Sequence, residues 1–326
     1  MKISESGLFQ ILADGRFHSG QELADSMGVS RAAVWKHLDS LRDKGVELLA
    51  VRGKGYLLAA PVEMLDTDAI RSGLTVPVAN SLKELSVFYQ IASTNLLLRE
   101  QSVQRPIHAH VVFAEYQTEG RGRGNNVWLG APGAGLYLSI GWHFDSVPAS
   151  LSALSLATGV VLAEALADCG ADGVRLKWPN DLVHDSAKLG GILIESRGQL
   201  AGAVDVIIGI GINVAMPAGL AAHIQQKVTD LSHVCGERPS RNHLAACIIN
   251  RLFTLLNSYE EQGFCSYIDK WRSLDITCGN NAVLLQSTGS ISGKVIDIDD
   301  NGFLIMSVNG NLTRFSSGDL SLRVTG

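Results

Sequence analysis

Two cations and a carboxylate stand close together near the middle of the chain: Lys177, Asp181 and Lys188 fall within one stretch of twelve residues. Paired cations suit an anionic ligand, and a carboxylate beside them suits a metal-assisted displacement. A solvated surface turn is the alternative interpretation of the same residues.

The neighbouring residues predict a hairpin that presents these side chains at its mouth. Val174–Trp178 alternates apolar and charged side chains, which is typical of a half-buried strand. Pro179–Asp181 predicts a turn, because proline has no backbone donor and Asn and Asp bond their own backbone. Ile192–Ile194 predicts the returning strand, and Gly190 and Gly191 leave its start bare of side chains.

A second stretch, Glu119–Trp128, alternates glycine with arginine and then offers an indole. Glycine lets a ligand approach the backbone, successive N–H groups hold an anion, and Arg121 and Arg123 suit carboxylate or phosphate. This is not a P-loop, because no Gly-Lys-Ser/Thr follows, and it is not a Rossmann fingerprint. A flexible loop is the alternative.

Three further places offer uncharged polar groups to a ligand. Ser93-Thr94-Asn95 stands between a strand, Leu85–Ile91, and a helix, Leu96–Gln101, where a plain helix cap is the alternative. The strand His110–Tyr116 delivers Gln117, and Asn213 ends the glycine-punctuated strand Ala203–Val214, with a turn cap as the alternative.

Composition limits the location and the cofactors. The 27 Lys and Arg against 32 Asp and Glu make the chain mildly acidic, so any nucleic-acid contact needs a local basic patch. The five cysteines contain no CxxC and predict reduced thiols in the cytoplasm, with no zinc or haem site. The sequence has no signal pattern, and no uninterrupted apolar run is long enough to span a membrane.

The first 63 residues predict a winged helix-turn-helix. Ser6–Ala13 and Glu22–Met27 have helical periodicity, Ser30 caps a basic helix Arg31–Lys44, and Val46–Leu58 predicts a two-stranded wing. A helical module that does not bind DNA is the alternative. The candidate DNA-binding residues are Ser30, Arg31, Lys36, His37, Arg42, Arg52 and Lys54.

Two more domains follow a linker at Pro61–Met64. Residues 64–272 predict a central α/β domain with a mixed sheet and two long helices, Ser150–Ala167 and Arg241–Gln262. Residues 273–326 predict a small β-barrel, because short strands are separated by the tight-turn sequences Asp299–Gly302 and Val308–Asn311. The predicted fold class is α+β.

These motifs together resemble the biotin protein ligases. That family has Gly-Arg-Gly-Arg-x-Gly-Arg-x-Trp, then Lys-Trp-Pro-Asn-Asp and Lys-Leu-x-Gly-Ile-Leu-x-Glu. Here the last two motifs and Ser93-Thr94-Asn95 are intact, whereas Asn125-Asn126 replaces the second Gly-Arg. Residues 1–65 resemble the members that also repress the biotin operon.

The resemblance implies an SH3-like C-terminal domain and a two-step reaction. ATP and biotin form biotinyl-5′-AMP, and a lysine of the biotin carboxyl carrier protein of acetyl-CoA carboxylase then takes the biotin. The chemistry of ATP in turn implies Mg²⁺, because its oxygen ligands favour a hard cation. Asp181 is expected either to bind this ion or to orient the incoming lysine. The other expected partners are operator DNA and a second copy of the adenylate-bound chain. No membrane partner is expected.

The resemblance also assigns roles to the motif residues. The expected catalytic residues are Lys188, Arg121, Arg123 and Asp181. The expected biotin-binding residues are Ser93, Thr94, Asn95, Gln117, Arg121, Gly122, Arg123 and Lys188. The expected ATP- and adenylate-binding residues are Arg121, Arg123, Trp128, Lys177, Asn180, Lys188 and Asn213.

Three rival functions remain open. A lipoate ligase would share the central fold, although the Gly-Arg-Gly-Arg loop and the winged helix favour biotin. A non-catalytic biotin-sensing transcription factor is conceivable because Asn125-Asn126 breaks the loop pattern. A ligase whose N-terminal domain has no repressor activity is the third.

Overall fold

The N-terminal unit consists of three helices and a hairpin, in a computed structural model that describes residues 5–124, 126–198, 202–286, 289–316 and 321–324. In chain order these elements are α1 (Glu5–Leu12), α2 (Gly20–Met27), α3 (Arg31–Asp43), β1 (Leu48–Val51) and β2 (Gly55–Leu58).

Local side-chain chemistry sets the ends of α2 and α3. The Ser19 hydroxyl accepts from the Glu22 amide at 3.1 Å, and the Glu22 carboxylate accepts from the Ser19 amide at 2.7 Å. This reciprocal capping box satisfies two amides at the start of α2. Gly28 takes a left-handed φ of 61° between the helices, and Ser30 caps α3. The predicted winged helix-turn-helix is confirmed.

A seven-stranded mixed sheet forms the centre of the molecule. Its strands run in the order β3-β4-β5-β9-β8-β7-β6, with β3 and β4 parallel and the other neighbours antiparallel. The strands are β3 (Glu84–Ile91), β4 (His110–Gln117), β5 (Gly135–Phe144), β6 (Arg175–Lys177), β7 (Asp181–His184), β8 (Ala187–Gly198) and β9 (Val204–Asn213).

Within the described ranges, eight further α-helices surround this sheet or connect its strands. They are α4 (Thr67–Ser72), α5 (Val76–Ser81), α6 (Thr94–Gln101), α7 (Leu154–Asp168), α8 (Ala218–Ala221), α9 (Leu231–Cys235), α10 (Arg241–Gln262) and α11 (Ile268–Leu274).

Helix α7 and the turn before it, Leu151–Asp168, are long and apolar enough to cross a membrane by length and composition, with a mean hydropathy of 1.5. The segment is not an uninterrupted apolar run, because it contains Glu164 and Asp168. Because 67% of this segment is buried, its apolar residues pack in the core against α10 and the sheet.

The predicted hairpin around Asp181 needs a correction. The strand that returns against β6 is β7, which pairs Lys177 with Asp181, and Ile192–Ile194 belongs to the following strand β8. A tight turn at Asp185 and Ser186, with φ of 47° and 61°, joins β7 to β8. Asp tolerates this left-handed backbone, and that turn signal was missed.

The C-terminal strands form a separate antiparallel sheet in the order β13-β12-β11-β10-β14. They are β10 (Asn281–Gln286), β11 (Gly289–Ile298), β12 (Leu304–Val308), β13 (Asn311–Phe315) and β14 (Ser321–Val324). The predicted α+β fold class is confirmed, and the predicted domain boundaries stay predictions. Strand β14 was not predicted, and it carries Arg323.

The N-terminal unit is held against the central sheet by polar side chains. Glu5 on α1 accepts hydrogen bonds from Lys44 Nζ at 2.5 Å and from the Tyr89 hydroxyl at 3.0 Å. Hydrogen bonds from Lys44, Ser40 and Tyr89 lower the pKa of Glu5, although its partial burial acts in the opposite direction. This contact between the two units therefore stabilises the ionised form of Glu5.

Candidate active site

One cleft of about 1350 Å³ opens at the central sheet. All the side chains predicted for biotin, ATP or catalysis line it, so the fold brings the motifs together. The residues that it collects are Ser93, Thr94, Asn95, Gln117, Arg121, Gly122, Arg123, Trp128, Lys177, Asn180, Asp181, Lys188 and Asn213.

A buried network of uncharged polar groups forms one part of the cleft. Gln117 Oε1 accepts from the Thr94 amide at 2.8 Å and from the Thr94 hydroxyl at 3.2 Å. The Ser139 hydroxyl lies 2.6 Å from both Thr94 Oγ1 and Asn95 Oδ1. Ser93 stands at the cap position of α6 but makes no side-chain cap hydrogen bond, so a plain helix cap does not describe it.

Glu195 connects this network to the glycine-arginine loop. It accepts from Asn95 Nδ2 at 2.8 Å through one carboxylate oxygen and from Arg121 at 2.9 Å through the other. Sequence reasoning did not select Glu195, although it closes the Lys-Leu-x-Gly-Ile-Leu-x-Glu motif. In this structure the Arg121 guanidinium therefore pairs with Glu195, which links the loop to β8.

The cations and the carboxylate of the Lys177–Lys188 stretch meet at the other part of the cleft. Lys188 Nζ lies 2.7 Å from Asp181 Oδ1, and both side chains are less than one-fifth exposed. Burial lowers the pKa of Lys177, opposed by Asp181 and reinforced by the positive charges of Lys188 and Arg323. Arg323 lines the cleft from β14, and it was missed because that strand was missed.

Trp128 lies on a surface that glycines leave open. A Cβ at Gly211 would lie 2.6 Å from Trp128 Cε2, and one at Gly191 would lie 3.1 Å from Cζ3. Lys188 Nζ is 5.6 Å from the centre of the Trp128 ring. Within the described ranges, the buried Trp128 Nε1 has no hydrogen-bond partner.

The loop that carries the arginines is closed by its own backbone. Gly122 N donates to Asn126 O at 2.8 Å, and Trp128 N donates to Gly120 O at 2.8 Å. Asn126 Nδ2 also donates to the Arg123 carbonyl at 2.9 Å. Of the two asparagines that replace Gly-Arg, Asn126 therefore holds the loop, and Asn125 lies outside the described residues.

Asn180 and Asn213 both hold backbone beside the cleft. Asn180 Nδ2 donates to the Ile192 carbonyl at 2.8 Å, and Asn213 Nδ2 donates to the Thr229 carbonyl at 3.0 Å. Trp178 Nε1 donates to the Gly302 carbonyl at 3.1 Å, which ties the motif to the C-terminal sheet. These contacts fix the walls on which the charged side chains stand.

The candidate DNA-binding residues lie on α3 and the wing, as predicted. Arg31, Lys36, Arg42, Arg52 and Lys54 are exposed, His37 is partly buried, and the Ser30 hydroxyl accepts from the Ala33 amide as a cap. Trp35, which the sequence analysis did not select, is 55% exposed and lines a second cleft between α3 and the wing. Trp35 lies one helical turn after Arg31, and this spacing was the signal that could have placed it on the same face of α3.

Three family models match the chain. They are an HTH domain over residues 6–57, the Biotin/lipoate A/B protein ligase family over residues 87–213 and the Biotin protein ligase C terminal domain over residues 279–323.

Curated relatives match nearly the whole chain. The Bifunctional ligase/repressor BirA of Salmonella typhimurium is 39% identical over 97% of this chain and 96% of its own length. The protein of the same name from Bacillus subtilis is 32% identical over 95% of each chain. The solved structure of the biotin protein ligase from Aquifex aeolicus in complex with biotin and ATP is 27% identical, with a TM-score of 0.63 over 75% of this chain and 100% of that chain. This chain therefore belongs to the family of bifunctional ligase/repressors.

Proposed function

We propose that this chain is a cytoplasmic biotin–protein ligase that also represses transcription. It forms biotinyl-5′-AMP from biotin and ATP and transfers biotin to a lysine of the carrier domain of acetyl-CoA carboxylase. One observation carries this proposal: a single cleft places a buried, uncharged polar network beside a group of cations.

The chemistry of biotin suits those two parts of the cleft. Its ureido ring carries N–H donors and a carbonyl acceptor, which Thr94, Asn95 and Gln117 complement. Its carboxylate then extends towards the cations. The dithiolane ring of lipoate has no such polar groups, so it could not exchange hydrogen bonds with this network. Sites built to hydrogen-bond a ligand discriminate strongly against analogues without those groups.

In the first step, a biotin carboxylate oxygen attacks the α-phosphorus of ATP and pyrophosphate leaves. This brings anions together, and positive charge at the developing transition state lowers the barrier. Lys188 is the main supplier, since Asp181 and the Trp128 ring already hold its ammonium in the cleft. Arg123 and Lys177 add positive charge, while Arg121 orders the loop through Glu195.

In the second step, the carrier lysine amine attacks the anhydride carbonyl carbon. An amide bond forms, AMP leaves with the electron pair of the broken C–O bond, and the amine loses a proton. The enzyme needs no covalent nucleophile for either step. The indole of Trp128 contributes an aromatic face to the adenine.

Mg²⁺ fits the donor set of this cleft. Mg²⁺ is usually bound by one or two carboxylates together with substrate phosphates, and Asp181 offers a carboxylate beside the cations. When bound, the ion neutralises charge on the departing pyrophosphate. Asp181 would hold it, in exchange for its contact with Lys188.

The repressor function rests on the N-terminal unit. The exposed cations of α3 and the wing suit phosphate, and the second helix of such a motif enters the major groove. A chain that is acidic overall needs this local patch. Adenylate acts as the co-repressor by favouring a homodimer, whose two copies fit a palindromic operator.

The ligase activity is tested with the whole chain, ATP, Mg²⁺ and an unmodified carrier domain. Biotin should support ATP–pyrophosphate exchange and yield biotinylated carrier by mass spectrometry, whereas lipoate should not. Exchange with lipoate alone would identify a lipoate ligase. Operator binding without any exchange would identify a non-catalytic sensor. Ligation without operator binding would show that the chain is a ligase without repressor activity.

A further inference from the structure

Two cysteines and a histidine meet where α7 and α10 pack together. Cys169 is the C-terminal cap of α7, and His243 and Cys247 lie one helical turn apart near the start of α10. Their candidate ligand atoms all lie within 4.8 Å of one another. None of the three residues lines the candidate active site.

The spacing of these atoms suits a tetrahedral metal ion. Sulfur and nitrogen ligands that bind Zn²⁺ at about 2.0–2.3 Å lie roughly 3.3–3.8 Å from one another. The separation between Cys247 Sγ and His243 Nε2 is 3.6 Å. The donors therefore need only small side-chain adjustments to close on an ion.

The helices that carry the donors are held in place by other contacts. Arg251 on α10 lies 2.6 Å from Asp168 and 2.9 Å from Glu164, both on α7. The Ser240 hydroxyl caps α10 by accepting from the His243 amide at 3.2 Å. A site on this pair of helices is preorganised, which reduces the conformational cost of binding.

Acidic side chains lie beside the donors. Asp168 is next to Cys169, and Asp172 and Glu237 lie near Cys235. Bound metal would replace the thiol protons and compensate the negative charge of the thiolates.

We propose that Cys169, His243 and Cys247 bind a thiophilic transition-metal ion, with Zn²⁺ as the expected occupant. Two thiolates and one imidazole are typical zinc ligands. His243 is exposed, so water has access to complete the fourth position. The expected absence of a zinc site rested on the lack of a CxxC spacing, whereas these donors come from two helices that are distant in sequence.

The ion would join the end of α7 to the start of α10. The same end of α10 holds the linker to the N-terminal unit, since Ser240 and Asn242 donate to the Glu63 carboxylate at 2.9 and 3.0 Å. Metal binding would therefore stabilise the central domain near this linker, because a ligand that binds only the folded state raises its stability.

The test uses the full chain, purified under reducing conditions, stripped with a chelator and titrated with Zn²⁺ or Co²⁺. One equivalent of Zn²⁺ should remain after gel filtration and raise the Tm. Co²⁺ should produce thiolate-to-metal charge transfer and the intense visible bands of a tetrahedral site, and Zn²⁺ should displace it.

Variants separate this site from other cysteines. Cys247→Ser and His243→Gln should each weaken Zn²⁺ binding by more than the ~10–100-fold that loss of an outer partner of a ligand typically costs. Cys265→Ser, at an exposed cysteine outside the cluster, should bind as the parent does. His243 is exposed, so its replacement spares the core if Cys247→Ser fails to fold.

Three results would overturn the proposal. They are Co²⁺ spectra without thiolate bands, equal Zn²⁺ affinity in His243→Gln and the parent chain, and a Cys169–Cys247 disulfide that excludes the metal under reducing conditions.

Discussion

Two glycines of β9 give other side chains the space that they occupy beside the cleft. A Cβ at Gly209 would lie 2.2 Å from Asn95 Oδ1, and one at Gly211 would lie 2.6 Å from Trp128 Cε2. The alternation of glycine in this strand predicts a close approach, but only the fold shows which side chains make it. Asn95 and Trp128 come from segments that are distant in sequence.

Gly211→Ala should displace the Trp128 indole and weaken nucleotide binding. Loss of an aromatic contact typically costs about 0.5–1.5 kcal/mol, or about 2- to 12-fold in affinity. Calorimetric titration with ATP measures this change, and Trp fluorescence reports the displacement. Gly219→Ala is the matched control, because nothing lies within 4 Å of a Cβ added there. An unchanged ATP affinity in Gly211→Ala would show that Trp128 does not contribute to nucleotide binding.

Lys188→Ala should lower adenylate formation far more than biotin binding. Removing one donor that stabilises a transition state typically costs roughly 3–4 kcal/mol, or about 10²–10³ in rate. ATP–pyrophosphate exchange measures the first quantity, and calorimetry measures the second. Lys270→Ala, an exposed lysine on α11, serves as the control.

The Lys188 variant also leaves the Asp181 carboxylate without its partner, and a double variant resolves this. If Lys188→Ala/Asp181→Asn recovered exchange at excess Mg²⁺, the loss in the single variant would come from the uncompensated carboxylate. Near-normal exchange by Lys188→Ala itself would show that Lys188 does not stabilise the transition state.

Asp181→Asn should raise the Mg²⁺ concentration needed for pyrophosphate exchange, by at least about 10-fold. The reason is that an amide is a weaker ligand for a hard cation than a carboxylate. A Mg²⁺ titration of exchange activity checks this, with excess Mg²⁺ expected to restore most of the rate. Normal exchange together with slow transfer to the carrier would instead show that Asp181 orients the incoming lysine.

At the scale of secondary structure, long elements and capped ends could be predicted from the sequence. Helix α10 begins and ends where its periodicity indicated, and Asp66 caps α4 by accepting from the Asp68 and Ala69 amides. Strand β7 has four residues, too few for periodicity to register. Strand pairing brings Arg323 to the cleft, and it brings Glu195 and Ser139 to side chains that line the cleft. No local pattern specifies this pairing.

The start of α10 depends on a buried ion pair. Arg241 lies 2.7 Å from Glu115 Oε2, and the two side chains are 0% and 1% exposed. Arg241 also donates to the backbone carbonyls of Gly135 and Glu63. The guanidinium therefore joins α10, the central sheet and the linker at one point.

Arg241→Ala should destabilise the protein by about 3–5 kcal/mol, because it leaves a carboxylate buried without its partner. Urea unfolding, followed by circular dichroism, measures the change. Arg251→Ala removes partly exposed ion pairs and should cost only about 0–1 kcal/mol. A double variant, Arg241→Met/Glu115→Leu, should recover much of the loss. If it did not, the hydrogen bonds to the carbonyls would be the dominant contribution.

At the scale of the whole molecule, the linker that follows the winged helix contacts the ligase domain beside the glycine-arginine loop. Arg238 donates to Pro61 O in the linker at 2.7 Å and to Gly133 O, just beyond the glycine-arginine loop, at 2.6 Å. A Cβ at Gly133 would also lie 2.5 Å from Val62 Cγ1. The linker and the segment after the loop therefore pack directly on each other.

We expect biotin and ATP together to double the salt dependence of operator binding. Five exposed cations, Arg31, Lys36, Arg42, Arg52 and Lys54, are the candidate phosphate contacts of one copy. Each contact contributes about 0.9 to the slope of log K against log salt, so one copy gives a slope of about −4.5 and a dimer about −9. Adenylate that restricts the motion of the glycine-arginine loop before the two copies meet reduces the entropy cost of dimerisation. The dimer then contacts both half-sites.

Operator titrations over a range of salt concentrations, with and without biotin and ATP, measure these slopes, and sedimentation measures the dimer. Lys36→Ala should lower the dimer slope by about 1.8, since each copy loses one contact, whereas Lys270→Ala should leave it unchanged. A slope that stayed the same in both ligand states would mean that the number of bound copies does not change. Adenylate would then alter the conformation of the N-terminal unit rather than its assembly, because linker contacts could transmit such a change within one chain.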